Sequence, residues 1–440
     1  MMNGLEIERQ TLSTSNALIN NNHGEITDIL IAGAGISGLV TAICLHRAGF
    51  SVRIHERAQK LEEAGFGVNL QPYCVKLLYE LGLESEMNEA GIRNNKAVFY
   101  SHNGQSVYQD QRGLDAGYKW PMYSMHRGRF QQLLLRHVQE EMGPDTVRLG
   151  QKLVTFRLQP HHVEVDFMNL STGDLNTERA KVLLAADGIN STVRKILYPD
   201  EGPPLWQGIT MWRGVTRMDK LYLDGRTMIF AGNPDDRALI VYPVSEELVN
   251  WAFTVRIQEP GVRPAPVATD WHHRGHIEDV LPLLSDMKLD FLDIPNLIRS
   301  SIIVNQFHVT DRNPLPRWTY GRATLIGDAA HPMYPHGGNG CSQAILDARG
   351  IVLAFRTHGI TPEGLETYDR LRRTASQDVV LAAREFGPDK ILKIVAERSP
   401  FGFQNLSEII SSEELENMLS VYRKQVHWNV EKLNQEPPLF

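Results

Sequence analysis

The stretch Ile29-Leu30-Ile31-Ala32-Gly33-Ala34-Gly35-Ile36-Ser37-Gly38 decides the fold of this chain of 440 residues. Its first four residues form an apolar run that is typical of a buried parallel strand. The residues from Ile36 to Ala48 can form a helix that Gly49 ends. The alternating segment from Ser51 to Glu56 predicts a second strand. The stretch therefore begins a β-α-β unit and predicts an α/β, Rossmann-like fold.

The three glycines of this unit have the spacing of a dinucleotide-binding turn. Gly33 permits the tight turn, Gly35 lets the backbone approach a pyrophosphate, and Gly38 lets helix and strand pack closely. The helix N-terminus adds free N–H groups and a partial positive charge. Glu56 ends the second strand, where its carboxylate can accept hydrogen bonds from a ribose. The residues predicted to bind the dinucleotide here are Gly33, Gly35, Ile36, Ser37, Gly38, Glu56 and Arg57.

Two later segments favour FAD over NAD as the dinucleotide. Ala186-Asp187-Gly188 and Gly327-Asp328-Ala329-Ala330-His331 each place an aspartate at the carboxyl end of a predicted strand, where open α/β sheets bind ligands. Asp328 is predicted to bond a polyol chain, and the glycine loop 337–340 to present backbone N–H groups at a helix start. The residues predicted to bind FAD in these segments are Asp187, Gly188, Gly327, Asp328, Pro335, Gly338, Asn339 and Gly340.

A sheet of another kind is predicted between these segments. From Val249 to Ile257, apolar residues alternate with Asn250, Ala252, Thr254 and Arg256, which indicates a half-buried antiparallel strand. We therefore expect an inserted antiparallel substrate sheet and, near the end, a helical C-terminus. The predicted divisions are a disordered tail at 1–26, FAD-binding parts at 27–100, 125–204 and 306–375, substrate-sheet strands at 101–124, a substrate domain at 205–305, and C-terminal helices at 376–440.

In these motifs and their order, the chain resembles the single-component FAD-dependent aromatic hydroxylases over about residues 27–375. The segments Gly208 to Gly214 and Met333-Tyr334-Pro335 are most similar to the branch that modifies phenazines. The resemblance implies that Arg127 reaches the flavin, that Asp328 binds its ribityl chain and that the loop 335–340 faces the isoalloxazine ring. It further implies that the segment of Asp187 serves both FAD and NAD(P)H. The chain departs from the family pattern at Ser342, where the family usually has Asn.

The resemblance implies an NAD(P)H-dependent FAD monooxygenase. Such enzymes transfer one oxygen atom from dioxygen, through a flavin hydroperoxide, to a small aromatic or heteroaromatic metabolite. The expected reaction is hydroxylation, with or without loss of a ring carboxylate, and NADH or NADPH is the transient co-substrate. The expected setting is secondary metabolism in the cytoplasm, as a monomer or a homodimer.

The substrate pocket is predicted beneath the antiparallel sheet. Met211 and Arg213 share one face of their strand because side chains alternate along it. Arg213 is a candidate for attracting a substrate carboxylate, and His336 is a candidate proton relay beside the flavin loop. The predicted substrate-binding residues are Met211, Arg213, Met228 and Tyr242, and the candidate catalytic residues are His336, Arg213 and Tyr242.

Composition excludes several other classes of protein. Lys and Arg number 45 against 52 Asp and Glu, and this net charge of −7 argues against a nucleic-acid binder. The uncharged stretch from Ile29 to Leu45 fits a buried strand and helix better than a bilayer span. No metal site is expected: the three cysteines are far apart, and His272, His273 and His276 lie beside a Pro-rich loop and are interpreted as solvated.

Three alternatives stay open at this point. The same scaffold can perform Baeyer–Villiger insertion or epoxidation, which residues alone do not separate from hydroxylation. A flavin-dependent halogenase is disfavoured because the Trp-x-Trp-x-Ile-Pro signature is absent, and the nearest tryptophans are Trp206 and Trp212. A protein that binds FAD or an aromatic ligand without turnover is opposed by the intact motifs, although motifs alone do not exclude it.

Overall fold

The computed structural model describes residues 26–62, 65–267, 273–426 and 429–440. The tail predicted at 1–26 lies, except for Ile26, outside the described residues, as does His272. The helices are α1 Ile36–Arg47, α2 Pro72–Glu80, α3 Glu84–Ala90, α4 Arg127–Met142, α5 Thr192–Leu197, α6 Ile277–Val280, α7 Ile294–Arg299, α8 Gly340–His358, α9 Pro362–Arg384, α10 Lys390–Arg398, α11 Ser412–Gln425 and α12 Val430–Gln435. The strands are β1 Thr27–Ala32, β2 Val52–His55, β3 Gly67–Leu70, β4 Gly91–Asn94, β5 Lys96–Tyr100, β6 Ser106–Gln111, β7 Met122–His126, β8 Val147–Arg148, β9 Gln151–Leu158, β10 Val163–Asn169, β11 Leu175–Ala185, β12 Leu205–Arg217, β13 Thr227–Gly232, β14 Arg237–Pro243, β15 Leu248–Arg256, β16 Arg263–Pro264, β17 Ser301–Asp311, β18 Thr319–Tyr320 and β19 Ala323–Leu325.

The first sheet has the strand order β18-β19-β11-β1-β2-β8 and holds the predicted β-α-β unit. β1 runs parallel to both β2 and β11, with Ile31 opposite Ile54 and Leu184. Residues 29–32 and 182–185 are buried. Their continuous apolar runs fit strands that other elements cover on both faces. The α/β fold predicted from the sequence is confirmed.

The second sheet, in the order β16-β12-β15-β14-β13-β5-β6 with β17 also paired to β12, is mainly antiparallel. One face packs its apolar side chains, such as Trp251 and Phe253, against α6 and α7. The prediction of an exposed second face is wrong for β15, because Asn250, Ala252 and Thr254 are also buried. Asn250 accepts a hydrogen bond from the N–H of Gly67 on β3, so a third, small sheet of β3, β7 and β4 covers this face.

The strands cross two of the predicted divisions. β5 pairs in parallel with β13 and so belongs to the second sheet, although it lies within 27–100. β17 pairs with β12 and extends that sheet beyond residue 305. β7 pairs instead with β3 and β4 in a separate three-stranded sheet. Local sequence cannot reveal these pairings, because each partner strand is distant along the chain.

The helical C-terminus is confirmed, and helix α9 begins at Pro362, before the division predicted at residue 376. α9 crosses that position as one continuous helix, and α10 and α11 follow it. α10 packs its apolar face into a cluster with Met228 and Tyr242 of the second sheet. Within the described part, no helix has both the length and the apolar composition to cross a membrane.

Candidate active site

In the glycine turn after β1, Gly33 and Gly38 pack closely against the backbone, whereas Gly35 between them borders open space. A Cβ atom at Gly33 would lie 2.4 Å from the Ala186 carbonyl oxygen, and one at Gly38 would lie 2.0 Å from the Gly33 carbonyl oxygen. A Cβ atom at Gly35 would have no neighbour within 4 Å. The first and third glycines therefore serve packing, and the second borders space at the N-terminus of α1.

The groups around this space can bind an anion. Gly35 caps α1 without a side-chain hydrogen bond, so the first N–H groups of the helix keep their donor capacity. The hydroxyl of Ser37 is buried and has no hydrogen-bond partner among the described residues. Such donors beside an open backbone position fit the pyrophosphate of a dinucleotide.

Glu56 closes the same site from β2. Its carboxylate oxygens accept hydrogen bonds from the N–H groups of Ala34 and Ala58, each at 2.8 Å. These bonds hold the carboxylate at the turn, and each oxygen keeps further acceptor capacity for a ribose. Arg57, by contrast, is exposed. Contact of either residue with a dinucleotide stays a prediction.

Asp187 lies at the carboxyl end of β11 and caps α5. One of its carboxylate oxygens accepts from the N–H groups of Thr192 at 2.7 Å and Val193 at 3.3 Å. Its other oxygen, Oδ1, is buried without a partner in the described chain. Burial raises the pKa of Asp187, although these N–H groups and Ser191 partly offset the shift.

Asp328 lies in a helical turn, Gly327–Ala329, that directly follows β19. Asp328 lines the cavity between the glycine loops and the second sheet, and its side chain is exposed to that space. Desolvation by the surrounding protein raises the pKa of Asp328, and the charges of His331 and Arg127 partly offset this shift. A Cβ atom at Gly327 would lie 2.6 Å from the Ser37 hydroxyl, so this glycine brings the turn against α1.

A buried carboxylate, Asp347 of α8, holds the same turn. It accepts from the N–H of Gly327 at 2.9 Å and lies 2.6 Å from His331 Nε2. Arg372 of α9 donates to its other oxygen at 3.0 Å. Burial alone would raise the pKa of Asp347, but His331 and Arg372 outweigh it and lower the pKa. His331 is thus a structural part of the turn.

The glycine loop before α8 reaches the cavity through its backbone and Pro335. Gly337 and Gly338 have φ values of 78° and 65°, a left-handed conformation that favours glycine. The side chains of His336 and Asn339 do not line the cavity. His336 Nδ1 lies 3.0 Å from Asp389 Oδ2, so the structure does not place it as a relay facing the substrate.

A cavity of about 360 Å³ lies between the glycine loops and the second sheet. The predicted residues that line it are Gly35, Ile36, Ser37, Arg127, Gly188, Met211, Arg213, Met228, Tyr242, Asp328, Pro335, Gly338 and Gly340. The predicted residues outside its lining are Gly33, Gly38, Glu56, Arg57, Asp187, Gly327, His336 and Asn339. Met211 and Arg213 share the cavity face of β12, whereas Trp212 packs into the apolar cluster on the opposite face.

Arg213 is a cation in the cavity wall whose hydrogen bonds go to neutral groups. Its Nη2 donates to the Gly67 carbonyl at 2.7 Å and to the Tyr242 hydroxyl at 3.4 Å. Within the described chain, its buried Nε has no hydrogen-bond partner, and no carboxylate pairs with it. Burial lowers the pKa of Arg213, Tyr242 partly offsets this, and the charge of Arg127 lowers it further. An anion in the cavity would relieve this unpaired charge.

Sequence reasoning missed several lining residues, among them Asn69, Gln71, Arg112 and Pro388. The sequence signal for Gln71 is its place before Pro72 at a helix start, since a polar residue there suits a cap. Arg112 follows β6 and lies 3.0 Å from Asp110, and its local sequence carries no motif. Ser342, where the family usually has Asn, accepts from the N–H of Gln71 at 3.0 Å.

No group of three or more His, Cys, Asp or Glu side chains in the described ranges could hold a metal ion. Cys341 lines the cavity, and burial raises the pKa of its thiol well above the usual range. The site is therefore built from backbone donors, carboxyl groups, an unpaired arginine and apolar walls.

Comparison with known proteins shows which family the chain matches. Residues 26–383 match the family described as "FAD binding domain". The phenazine 1,6-dicarboxylic acid hydroxylase PhzS of Lysobacter antibioticus is 40% identical over 369 residues, which cover 82% of this chain and 89% of that one. The aurachin C monooxygenase/isomerase of Stigmatella aurantiaca is 30% identical over 364 residues, which cover 82% and 88%.

Solved structures show the same fold. The crystal structure of Klebsiella pneumoniae HpxO complexed with FAD and uric acid has a TM-score of 0.73 to this chain. It is 21% identical in sequence and covers 91% of this chain and 97% of that one.

Proposed function

The chain belongs to the FAD-binding-domain family of flavin monooxygenases that act on small aromatic compounds, and on that premise we propose that it hydroxylates a planar heteroaromatic carboxylic acid of the phenazine type. The observation that carries the proposal is the unpaired guanidinium of Arg213 in the cavity wall. The activity of the 40% identical relative, a phenazine 1,6-dicarboxylic acid hydroxylase, supports the same substrate class.

The proposed residues for FAD surround the cavity. The turn at Gly35 would receive the pyrophosphate, Glu56 the adenosine ribose, and Asp328 the ribityl chain. The loop 335–340 would face the isoalloxazine ring, with backbone N–H groups at the start of α8. When bound, FAD would supply the redox chemistry by which electrons from NAD(P)H reduce dioxygen, so that one oxygen atom enters the aromatic ring and the other leaves as water.

The proposed task of Arg213 is to orient the ring. A carboxylate would pair with the guanidinium, because its Nε has no hydrogen-bond partner among the described residues and charge-assisted hydrogen bonds are the stronger kind. Pairing at one ring position fixes which carbon faces the oxygen donor, and orientation of this kind is a large part of catalysis.

The apolar wall would enclose the same ring. Met211, Met228 and Phe230 line the cavity beside Arg213 and offer flexible and aromatic contacts to a flat ligand. These side chains also exclude water from the reacting centre, which protects a reactive oxygen donor from wasteful breakdown to hydrogen peroxide.

The proposal is tested by comparing a carboxylic acid with its neutral counterpart. Dissociation constants of phenazine-1-carboxylic acid and phenazine-1-carboxamide are measured from changes in the flavin absorbance of wild type, Arg213→Gln and Arg217→Gln. Arg217 is a matched control because it lies on the same strand but at its exposed end, paired with Glu247. For Arg213→Gln we expect binding of the acid to weaken about 10- to 100-fold, as for a lost hydrogen bond to a charged group.

The carboxamide and the Arg217→Gln variant should show little change. If Arg213→Gln weakened binding of the acid and of the carboxamide equally, the arginine would shape the cavity and not bind the carboxylate. Unchanged binding of the acid would also overturn the role of Arg213, and the mass of the oxygenated product would show whether the carboxylate is retained.

A further inference from the structure

The glycine loop is held in place by residues that follow the part of the chain matched to the FAD binding domain. The match to the FAD binding domain ends at residue 383, whereas Asp389 and Tyr422 belong to the C-terminal segment that follows. Tyr422 lies on α11, and its hydroxyl accepts a hydrogen bond from Asn339 Nδ2 at 2.9 Å. The other end of this amide, Oδ1, accepts from the Tyr73 hydroxyl of α2, also at 2.9 Å. Asn339 therefore joins the loop to two separate helices.

The Tyr422 hydroxyl also packs directly on the loop backbone. A Cβ atom at Gly337 would lie 2.0 Å from this hydroxyl oxygen. Gly337 has a φ of 78°, so both its conformation and the close approach of Tyr422 require glycine. The carbonyl of Gly337 in turn accepts from Gln71 Nε2 at 3.3 Å.

A second contact from the C-terminal segment fixes the start of the loop. Asp389 Oδ2 lies 3.0 Å from His336 Nδ1, and the ring of Phe386 meets the same imidazole edge to face with centroids 5.1 Å apart. Between these two residues, Pro388 lines the central cavity. The segment after residue 383 thus reaches both the loop and the cavity.

Tyr422 is built into the core rather than resting on the surface. Its ring packs with Val379 and Ala382 of α9 and with Val426, and its side chain is buried. Burial raises the pKa of Tyr422 well above the usual range, so the hydroxyl stays protonated. A neutral hydroxyl in a fixed packing site can hold the Asn339 amide in one orientation.

We propose that Tyr422 is a positioning residue for the flavin, acting through Asn339 to hold the loop 336–340 against the isoalloxazine ring. The inference rests on the proposed placement of that ring at the loop. Backbone N–H groups near the pyrimidine edge of a flavin stabilise negative charge on its reduced form, so a loosened loop changes both the affinity for FAD and its reduction potential.

The test compares Tyr422→Phe with Tyr222→Phe in the full chain. Tyr222 is a matched control because its buried hydroxyl also makes hydrogen bonds, at 2.8 and 3.1 Å, but on the sheet face away from the cavity. FAD affinity is measured by titrating apoprotein with FAD and following flavin fluorescence, and the midpoint potential of bound FAD by dye equilibration. Asn339→Ala and the double variant complete a mutant cycle.

For Tyr422→Phe we expect the FAD dissociation constant to rise about two- to tenfold, the effect of one lost hydrogen bond, together with a shift of the midpoint potential. Asn339→Ala, which also loses the hydrogen bond from Tyr73, should shift both quantities in the same direction by at least as much, and the double variant should add little to Asn339→Ala. Tyr222→Phe should change neither quantity.

Two results would overturn the inference. One is a Tyr422→Phe protein whose affinity and potential match those of Tyr222→Phe. The other is an affinity loss that follows apoprotein thermal stability while the potential stays unchanged, which indicates an ordinary packing role. Neither measurement uses the aromatic substrate, so failure here leaves the proposal for Arg213 standing, and failure of that proposal leaves this one standing.

Discussion

The guanidinium of Arg213 on the antiparallel sheet donates a 2.7 Å hydrogen bond to the carbonyl of Gly67 on the small sheet. A Cβ atom at Gly67 would lie 2.4 Å from the Tyr242 ring, so the backbone of the small sheet packs directly on this side chain of the antiparallel sheet. The contact fixes one edge of the guanidinium, while its Nε has no hydrogen-bond partner among the described residues. Arg213 is thereby held in place before any ligand arrives, which lowers the entropic cost of binding one.

Gly35 and Gly38 should respond differently to alanine. In Gly35→Ala the new Cβ atom meets no protein atom within 4 Å, so the thermal midpoint of the apoprotein should fall only by the small cost of an alanine cap on α1. The same methyl group enters the proposed pyrophosphate space, and FAD binding should weaken by about tenfold or more. The measurement is an FAD titration of the apoprotein.

Gly38→Ala is the companion variant. Its Cβ atom would lie 2.0 Å from a backbone oxygen that cannot move aside, and overpacking should cost about 1–3 kcal/mol of stability. If Gly35→Ala bound FAD normally, that result would contradict the proposed placement of the pyrophosphate at this turn.

Asp347→Asn should destabilise the whole protein. The carboxylate is fully buried and joins Gly327, His331 and Arg372, and removing its charge leaves the charge of Arg372 without the carboxylate that compensates it. Breaking such a pair costs about 3–5 kcal/mol, which urea unfolding can measure. Asp200→Asn, at an exposed position, is the control. A stability equal to that of the control would show that the network does not support the Asp328 turn.

Glu178 should make the free energy of unfolding depend on pH in the acidic range. Burial alone would raise its pKa, but contacts with His55 and Arg53 and the charge of Arg148 outweigh burial and hold the pKa at about 2. A lowered pKa contributes stability above the unfolded value of about 4.5, and this contribution disappears as the pH falls toward 2. Glu178→Gln should therefore cost about 2–3 kcal/mol at pH 7 and about half of that or less at pH 3. Urea midpoints at both pH values are the measurement, and an equal loss at both would contradict the charge-based account.

The three cysteines should be unreactive in the native protein. Burial raises the pKa of Cys74 to about 12 and those of Cys44 and Cys341 beyond the usual range. Since the thiolate is the reactive form, iodoacetamide at pH 8 should label none of them appreciably until the chain unfolds. Mass spectrometry of the labelled protein checks this, and rapid modification of native Cys341 would mean that the cavity activates its thiol.

The sequence predicts the parts of the fold and site that depend on neighbouring residues. The turn from Gly33 to Gly38 can be recognised locally, since its glycine spacing stands between an apolar strand and a helix. The cavity face of Met211 and Arg213 follows from the two-residue period of a strand. Both predictions need only a short window of the chain.

The remaining features depend on contacts between distant residues. His336 lies beside a glycine loop in the sequence, which makes it a candidate relay, but its imidazole pairs with Asp389. Asn339 contacts Tyr422, and β5 pairs with β13, through the tertiary fold. The burial of Asn250 likewise follows from Gly67 packing over a face that alternation alone assigns to solvent. Patterns within single elements contain no information about these partners.

The central claim is tested most directly by stopped-flow measurement of flavin reduction by NADH and NADPH, with and without phenazine-1-carboxylic acid, while oxygenated product and hydrogen peroxide are assayed. We expect the acid to accelerate flavin reduction and a hydroxylated product to form in step with NAD(P)H consumption. Reduction that the acid leaves unchanged, with all NAD(P)H oxidation appearing as peroxide, would contradict a phenazine-type carboxylic acid as the substrate.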